Sequence, residues 1–110
     1  MKHDDAAASL AELGNTHRLA IFRVLVKAGY QGASVGAIQK ELGIPASTLS
    51  HHLSRMAQVG LIRQEKSGRT IMCLPSYDHL EHLIDFLKKE CCLGVSMERV
   101  TTKQSSRNPG

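Results

Sequence analysis

Between residues 34 and 60, two short amphipathic segments are separated by only Gly43-Ile44-Pro45, and that punctuation constrains the fold more than any other feature. In the first segment Val35, Ile38 and Leu42 recur at the spacing of one helical face, and Ser34 in front is a plausible N-cap. Gly43 closes that helix as a C′ glycine does. Pro45 pushes Ile44 out of helical space and pre-sets the start of the next helix. From Ala46 to Val59, Leu49, Leu53 and Met56 fall on one side. Ser47, Ser50, His51, Ser54 and Arg55 lie mostly on the other, and Gly60 stops the helix.

After Gly60 the period changes from helix to strand. Leu61–Lys66 and Arg69–Leu74 read as two short strands joined at Ser67-Gly68, and Pro75 ends the second. Upstream, residues 5–13 are good helix formers with Leu10 and Leu13 on one face, and Gly14-Asn15 breaks them. Thr16 can cap a second helix with a stripe of Leu19, Phe22, Leu25 and Val26, followed by a loop through Gly32. Downstream, Asp78 with Glu81 resembles a capping box. Leu80, Leu83, Ile84 and Leu87 form the stripe of a last helix, and Cys91 continues it. The predicted order is α–α–α–α–β–β–α, mainly α with a small β-hairpin wing: a winged helix-turn-helix. Residues 1–93 form the expected domain, and 94–110 read as a disordered tail.

The chain has 110 residues, which fits one small domain and leaves little room for a buried active-site cleft. Aromatics are 4 % with no Trp, so the core must be aliphatic. The net charge of +4 permits nucleic-acid binding without demanding it. Met1 is followed by Lys2, His3, Asp4 and Asp5, which is no signal peptide, and no stretch suits a membrane span. Cytoplasm is the expected location. Three cysteines cannot all pair within the chain and read best as thiols.

A helix that enters the major groove needs an apolar back and small polar or basic residues in front. Ala46–Val59 has both. Ser47, Thr48 and Ser50 stand near its N-terminus, where free N–H groups favour phosphate. His51 and Arg55 share a face, and the hairpin adds Arg63, Lys66 and Arg69 around Gly68. The plainer alternative is a solvated polar face. His51 and His52 as metal ligands is another, although adjacent side chains diverge by about 100° on a helix.

The run Ser47-Thr-Leu-Ser-His-His-Leu53, then Met56-Ala-Gln-Val-Gly-Leu-Ile62 and Gly68-Arg69, resembles the ArsR/SmtB family of metalloregulatory repressors. So does Leu13-Gly-Asn-Thr-His-Arg-Leu-Ala-Ile21. The resemblance covers roughly residues 8–93. It implies a homodimer joined through the first and last helices, a palindromic double-stranded DNA operator, and release on ligand binding. Two of the family's ligand patterns do not fit. The segment Glu41–Ala46 has no Cys-x-Cys, and although Asp78 is present, residue 80 is Leu where the zinc pattern has His. His79, His82 and Asp85 remain as a weak metal cluster or an exposed helix face.

The thiols are the better sensing candidates. Adjacent Cα atoms lie about 3.8 Å apart, while disulfides prefer about 4.4–6.8 Å. A Cys91–Cys92 bond would thus be strained, and the pair suits a soft centre instead. Trivalent arsenic or antimony, As(III) or Sb(III), fits, and the pair resembles that of the family's arsenic-responsive members. Cys73 ends the wing's second strand. It is either a third ligand supplied across the dimer, dispensable to a two-thiol site, or plain core.

Three other readings stand beside this one. A redox, persulfide or electrophile switch would use the same thiols, with Lys88 and Lys89 as cationic neighbours. A dimeric interaction protein would show no salt-dependent DNA affinity. An enzyme finds no support, since no motif positions a catalytic triad or carboxylate pair.

Overall fold

The structure, a computed structural model, describes residues 1–95. Five helices and a small sheet follow in the order α1 (His3–Leu13), α2 (Thr16–Ala28), a 3-10 turn (Gly29–Gln31), β1 (Ala33–Ser34), α3 (Val35–Leu42), α4 (Ala46–Gln58), β2 (Ile62–Ser67), β3 (Thr70–Pro75) and α5 (Tyr77–Lys88). The expected winged helix-turn-helix is present, with one strand more than the sequence suggested. The sheet is antiparallel in the order β1-β3-β2. β1 is two residues long, pairing Ala33 with Cys73 and Ser34 with Met72. It forms because β3 offers it an edge, which no local pattern announces.

The core gathers Ile21, Phe22 and Leu25 of α2, Ile38 of α3, Leu49, Leu53 and Met56 of α4, and Leu61, Ile62 and Cys73 around the sheet. The expected stripe of α4 is therefore its buried face. On α2 the buried face is rotated from the expectation: Ile21 replaces Leu19 and Val26, which are half exposed. On α1 the buried residues are Ala6, Ser9 and Glu12, while Leu10 is exposed. Apolar residues on these two helices were thus expected inside, yet several point outward in the single chain.

Local signals were read one or two residues off at three places. The cap of α2 is Asn15, not Thr16; its Oδ1 accepts from the amides of His17 (2.9 Å) and Arg18 (3.1 Å). The hairpin turn is Gly68-Arg69, not Ser67-Gly68, because Ser67 still pairs with Thr70 and Gly68 takes φ +64 at the first turn position. Helix α5 starts behind Ser76 with no side-chain cap, so the Asp78/Glu81 capping box does not form. Its end also comes early. Lys89 leaves helical space (ψ 137) and Glu90 takes φ +64, so Cys91 and Cys92 follow the last helix instead of extending its stripe.

Helix α1 runs antiparallel to α5. His3 meets Phe86 edge-on with ring centroids 6.1 Å apart, and Ser9 Oγ lies 2.7 Å from His79 Nε2. Burial is the main reason that the His79 ring holds its proton less tightly than usual. Among the described residues no helix is long and apolar enough to cross a membrane. The tail expected over 94–110 lies, from residue 96 on, outside the described residues.

Candidate nucleic-acid interface

Helix α4 is anchored by Leu49, Leu53 and Met56, each no more than 1 % exposed. That anchoring turns Ser47, Thr48, Ser50, His51 and Arg55 outward. Pro45 precedes the helix without a side-chain cap, and its carbonyl accepts the first helical bond from Leu49 at 2.9 Å. The amides of Ala46, Ser47 and Thr48 are then open helix-terminal donors on an exposed edge, the arrangement that attracts phosphate.

The wing stands beside this helix. Of β2 only Ile62 is buried, so Arg63, Lys66 and Arg69 all project into solvent. Arg63 Nε pairs with Glu65 Oε2 at 3.1 Å, both side chains 57 % exposed, a pairing worth little in water. Lys66 and Arg69 make no ion pair among the described residues. A cleft of about 580 Å³ separates the wing from the helices, with Ser50 and Leu53 on one wall, Arg69 and Thr70 on the other, and Ser34 at its end. The structure thus brings Ser50 of α4 and Arg69 of the wing to one cleft, while Ser47, Thr48, His51 and Lys66 are exposed on the same two elements.

Arg55 is placed differently. Its Nε and Nη2 donate to the two carboxylate oxygens of Glu12, each at 3.0 Å. Glu12 is only 8 % exposed and takes a second cation, with Arg18 Nε at 3.0 Å from Oε1 and 2.7 Å from its carbonyl oxygen. The hydrogen bond from Arg55 is the main reason that the Glu12 carboxyl sits below the usual glutamate range. Arg18 Nη1 reaches His52 Nδ1 at 3.2 Å, which fixes a neutral ring accepting through that nitrogen. Burial, followed by the charge of Arg18, lowers the pKa of His52. Sequence reasoning missed Glu12 and Arg18. The available signal was that Glu12 follows Ala6 and Ser9 at helical spacing, a face of small residues that one acid interrupts.

The three cysteines fall into two environments. Cys91 and Cys92 are exposed, with Sγ atoms 2.9 Å apart. The hydrogen bond between them, then the nearby charge of Cys91, raises the pKa of Cys92. Cys73 is fully buried in β3, with Gln64 Nε2 donating to its Sγ at 3.7 Å, and burial pushes its thiol pKa up. Within one chain, therefore, Cys73 is not joined to the pair. Among the described residues no group of three or more His, Cys, Asp or Glu is placed to hold a metal ion, and this includes His79, His82 and Asp85.

Comparison with known proteins finds the same class of fold. A helix-turn-helix domain family matches residues 13–65. The HTH-type transcriptional regulator YgaV of Escherichia coli is 32 % identical over 89 residues, covering 81 % of this chain and 88 % of YgaV. Reduced HlyU from Vibrio cholerae superposes with a TM-score of 0.64 at 27 % identity, covering 81 % of this chain and 90 % of HlyU. The homodimeric winged helix-turn-helix DNA-binding domain of Mb0332 from Mycobacterium bovis shares the fold, with a TM-score of 0.65 at 22 % identity and coverage of 77 % and 76 %.

Proposed function

Because the chain belongs to the ArsR family of winged helix-turn-helix transcriptional regulators, and is not an enzyme, we propose that it is a dimeric cytoplasmic repressor that leaves a two-fold symmetric operator when a thiophilic inducer takes Cys91 and Cys92. The observation that carries the DNA half is the exposed polar front of α4 beside Lys66 and Arg69 of the wing, which make no ion pair among the described residues. In this reading Ser47, Thr48, Ser50 and His51 reach base edges or phosphate from the groove. Arg63, Lys66 and Arg69 grip the backbone. Arg55, expected from sequence to touch DNA, acts instead through Glu12.

The dimer is supported by leftover apolar surface. Leu10 on α1 and Ile84 and Leu87 on α5 are 42 %, 45 % and 58 % exposed. Burying such residues against a second copy gains about 25 cal/mol per Å². A dimer would then set two copies of α4 about 34 Å apart, one DNA turn, for both half-sites.

The thiol pair supports the inducer half. Two exposed sulfurs side by side suit one trivalent arsenic or antimony, with a water lost for each sulfur bond formed. Cys73 is core in this reading, since a fully buried thiol of raised pKa is a poor ligand. The pair lies just past the end of α5 that packs on the start of α1. Helix α1 rises about 14 Å from His3 there to Glu12 at the recognition helix. A change at the thiols thus has a rigid route to both the dimer interface and the reader. Oxidation of the same thiols is the second reading, and the relative HlyU was solved in a form described as reduced.

The test is binding to DNA from upstream of the chain's own gene across a range of salt. The proposal predicts a steep salt slope and a dimeric complex. Lys66→Ala and Arg69→Ala should each flatten that slope by about 0.9, the contribution of one phosphate contact. A salt-independent affinity would end the DNA-binding reading. Release by peroxide but not arsenite would end the metalloid one.

A further inference from the structure

Glu12 and Ser9 are the only buried polar side chains among the described residues, and Glu12 alone carries a charge. Its position ties three helices at one point, with Arg18 from α2 and Arg55 from α4 converging on a carboxylate of α1. The Arg55 fork is bidentate, the geometry that fixes a guanidinium in one plane and not merely nearby. The cluster therefore ties α4 to α1 through Arg55, the one lysine or arginine that α4 carries.

We propose that Glu12 is a specificity-determining residue of the DNA reader: it holds Arg55 against α1, so that helix α4 keeps a single setting in the groove and Arg55 does not grip phosphate. The inference rests on the DNA-binding reading above. The Arg55 side chain is 47 % exposed, so a guanidinium released from Glu12 swings freely on its flexible stem. It then meets whichever phosphate is close. Such a contact strengthens binding to any sequence and carries no base information. At the same time α4 loses the polar tie to α1 that, together with its buried apolar face, sets its orientation, and base contacts are sensitive to orientation. Removing the acid should therefore move the two kinds of DNA affinity in opposite directions. Simple loss of structure would lower both.

The experiment measures binding of the full chain to DNA from upstream of its own gene and to a scrambled duplex of equal length, by fluorescence anisotropy at several KCl concentrations. Glu12→Gln is expected to weaken binding to its own site by about tenfold, the scale of one misread base contact. Its affinity for the scrambled duplex should rise, with a salt slope steeper by about 0.9 for the one added phosphate contact. Arg55→Gln leaves the Arg18–Glu12 pair intact and keeps the test open if Glu12→Gln folds poorly. It should lose a similar share of the preference with no steepening of the slope. Two results would overturn the proposal. One is a preference for the native site within about twofold of wild type in both variants, the scatter of an inert surface change. The other is a parallel fall of both affinities. A wild-type chain with no preference for its own site would overturn the underlying DNA-binding reading as well, and it is distinguished by being seen before any variant is made.

Discussion

Changing Cys91 and Cys92 together to serine is expected to leave DNA binding intact and to remove the response to arsenite. In the wild type the inducer should weaken DNA binding by about 5–150-fold, the usual range of coupling between two sites. The double variant should show none of that change. Both residues are exposed, so serine adds no cavity and strands no buried group. Their sulfurs are 2.9 Å apart, close enough to close on one soft centre. Serine oxygen is a hard ligand that does not hold such a centre. Cys73→Ser is the informative contrast. It places a hydroxyl in the fully buried site of the thiol, so its cost should fall on stability while the arsenite response persists. Loss of response in Cys73→Ser, with normal DNA binding, would restore the reading in which Cys73 completes the site across the dimer.

The second large effect concerns the fold. Gly32→Ala is expected to destabilise the chain by about 3 kcal/mol or more. Gly32 sits at φ +73, and a Cβ there would collide with the Cys73 carbonyl oxygen and lie 2.9 Å from Leu74 Cγ. The obstacle is backbone of β3, which cannot rotate away as a side-chain tip can. A loss of this size is a large part of the roughly 5–15 kcal/mol that holds a small domain together. In thermal unfolding it corresponds to a fall in midpoint of about 12 °C or more. Gly68→Ala provides the control. It shares a positive φ of +64 but has nothing within 4 Å, so only the backbone term of about 1 kcal/mol applies. Equal midpoints for the two variants would show that the contact with β3 carries no weight.

Much of the reading frame was visible in the residues themselves. Leu49, Leu53 and Met56 repeat at helical spacing, and all three are core. Gly43 stops α3 in the left-handed region at φ +66, as its place in the sequence suggested. These signals are local, so a single chain segment carries them. Features that depend on a partner element were hidden. Ala33–Ser34 is a strand only because β3 lies alongside it. Glu12 is buried only because two arginines from other helices meet it. Periodicity would assign an acid in a helix to solvent. Leu10 shows the reverse error, an apolar residue that stays exposed in the single chain.

The last helix failed for another reason. Residues 89–92 contain no glycine or proline, so nothing local marks the stop, and Cys91 continues the stripe of Leu87 in sequence alone. The turn through Glu90 and Cys92 places both residues at positive φ and leaves the thiols outside the helix. That difference sharpens the candidate site. A cysteine pair packed in a helix stripe would be half core, whereas a pair on an exposed turn is open to a ligand.

The most direct test of this account is a single titration. A labelled duplex from upstream of the gene is bound by the reduced wild-type protein, and arsenite is added while fluorescence anisotropy is followed. The account predicts a fall to the value of free DNA as the Cys91–Cys92 pairs fill. A complex that stays intact while arsenite is shown to be bound at those thiols would contradict it, because DNA reading and thiol sensing would then be uncoupled.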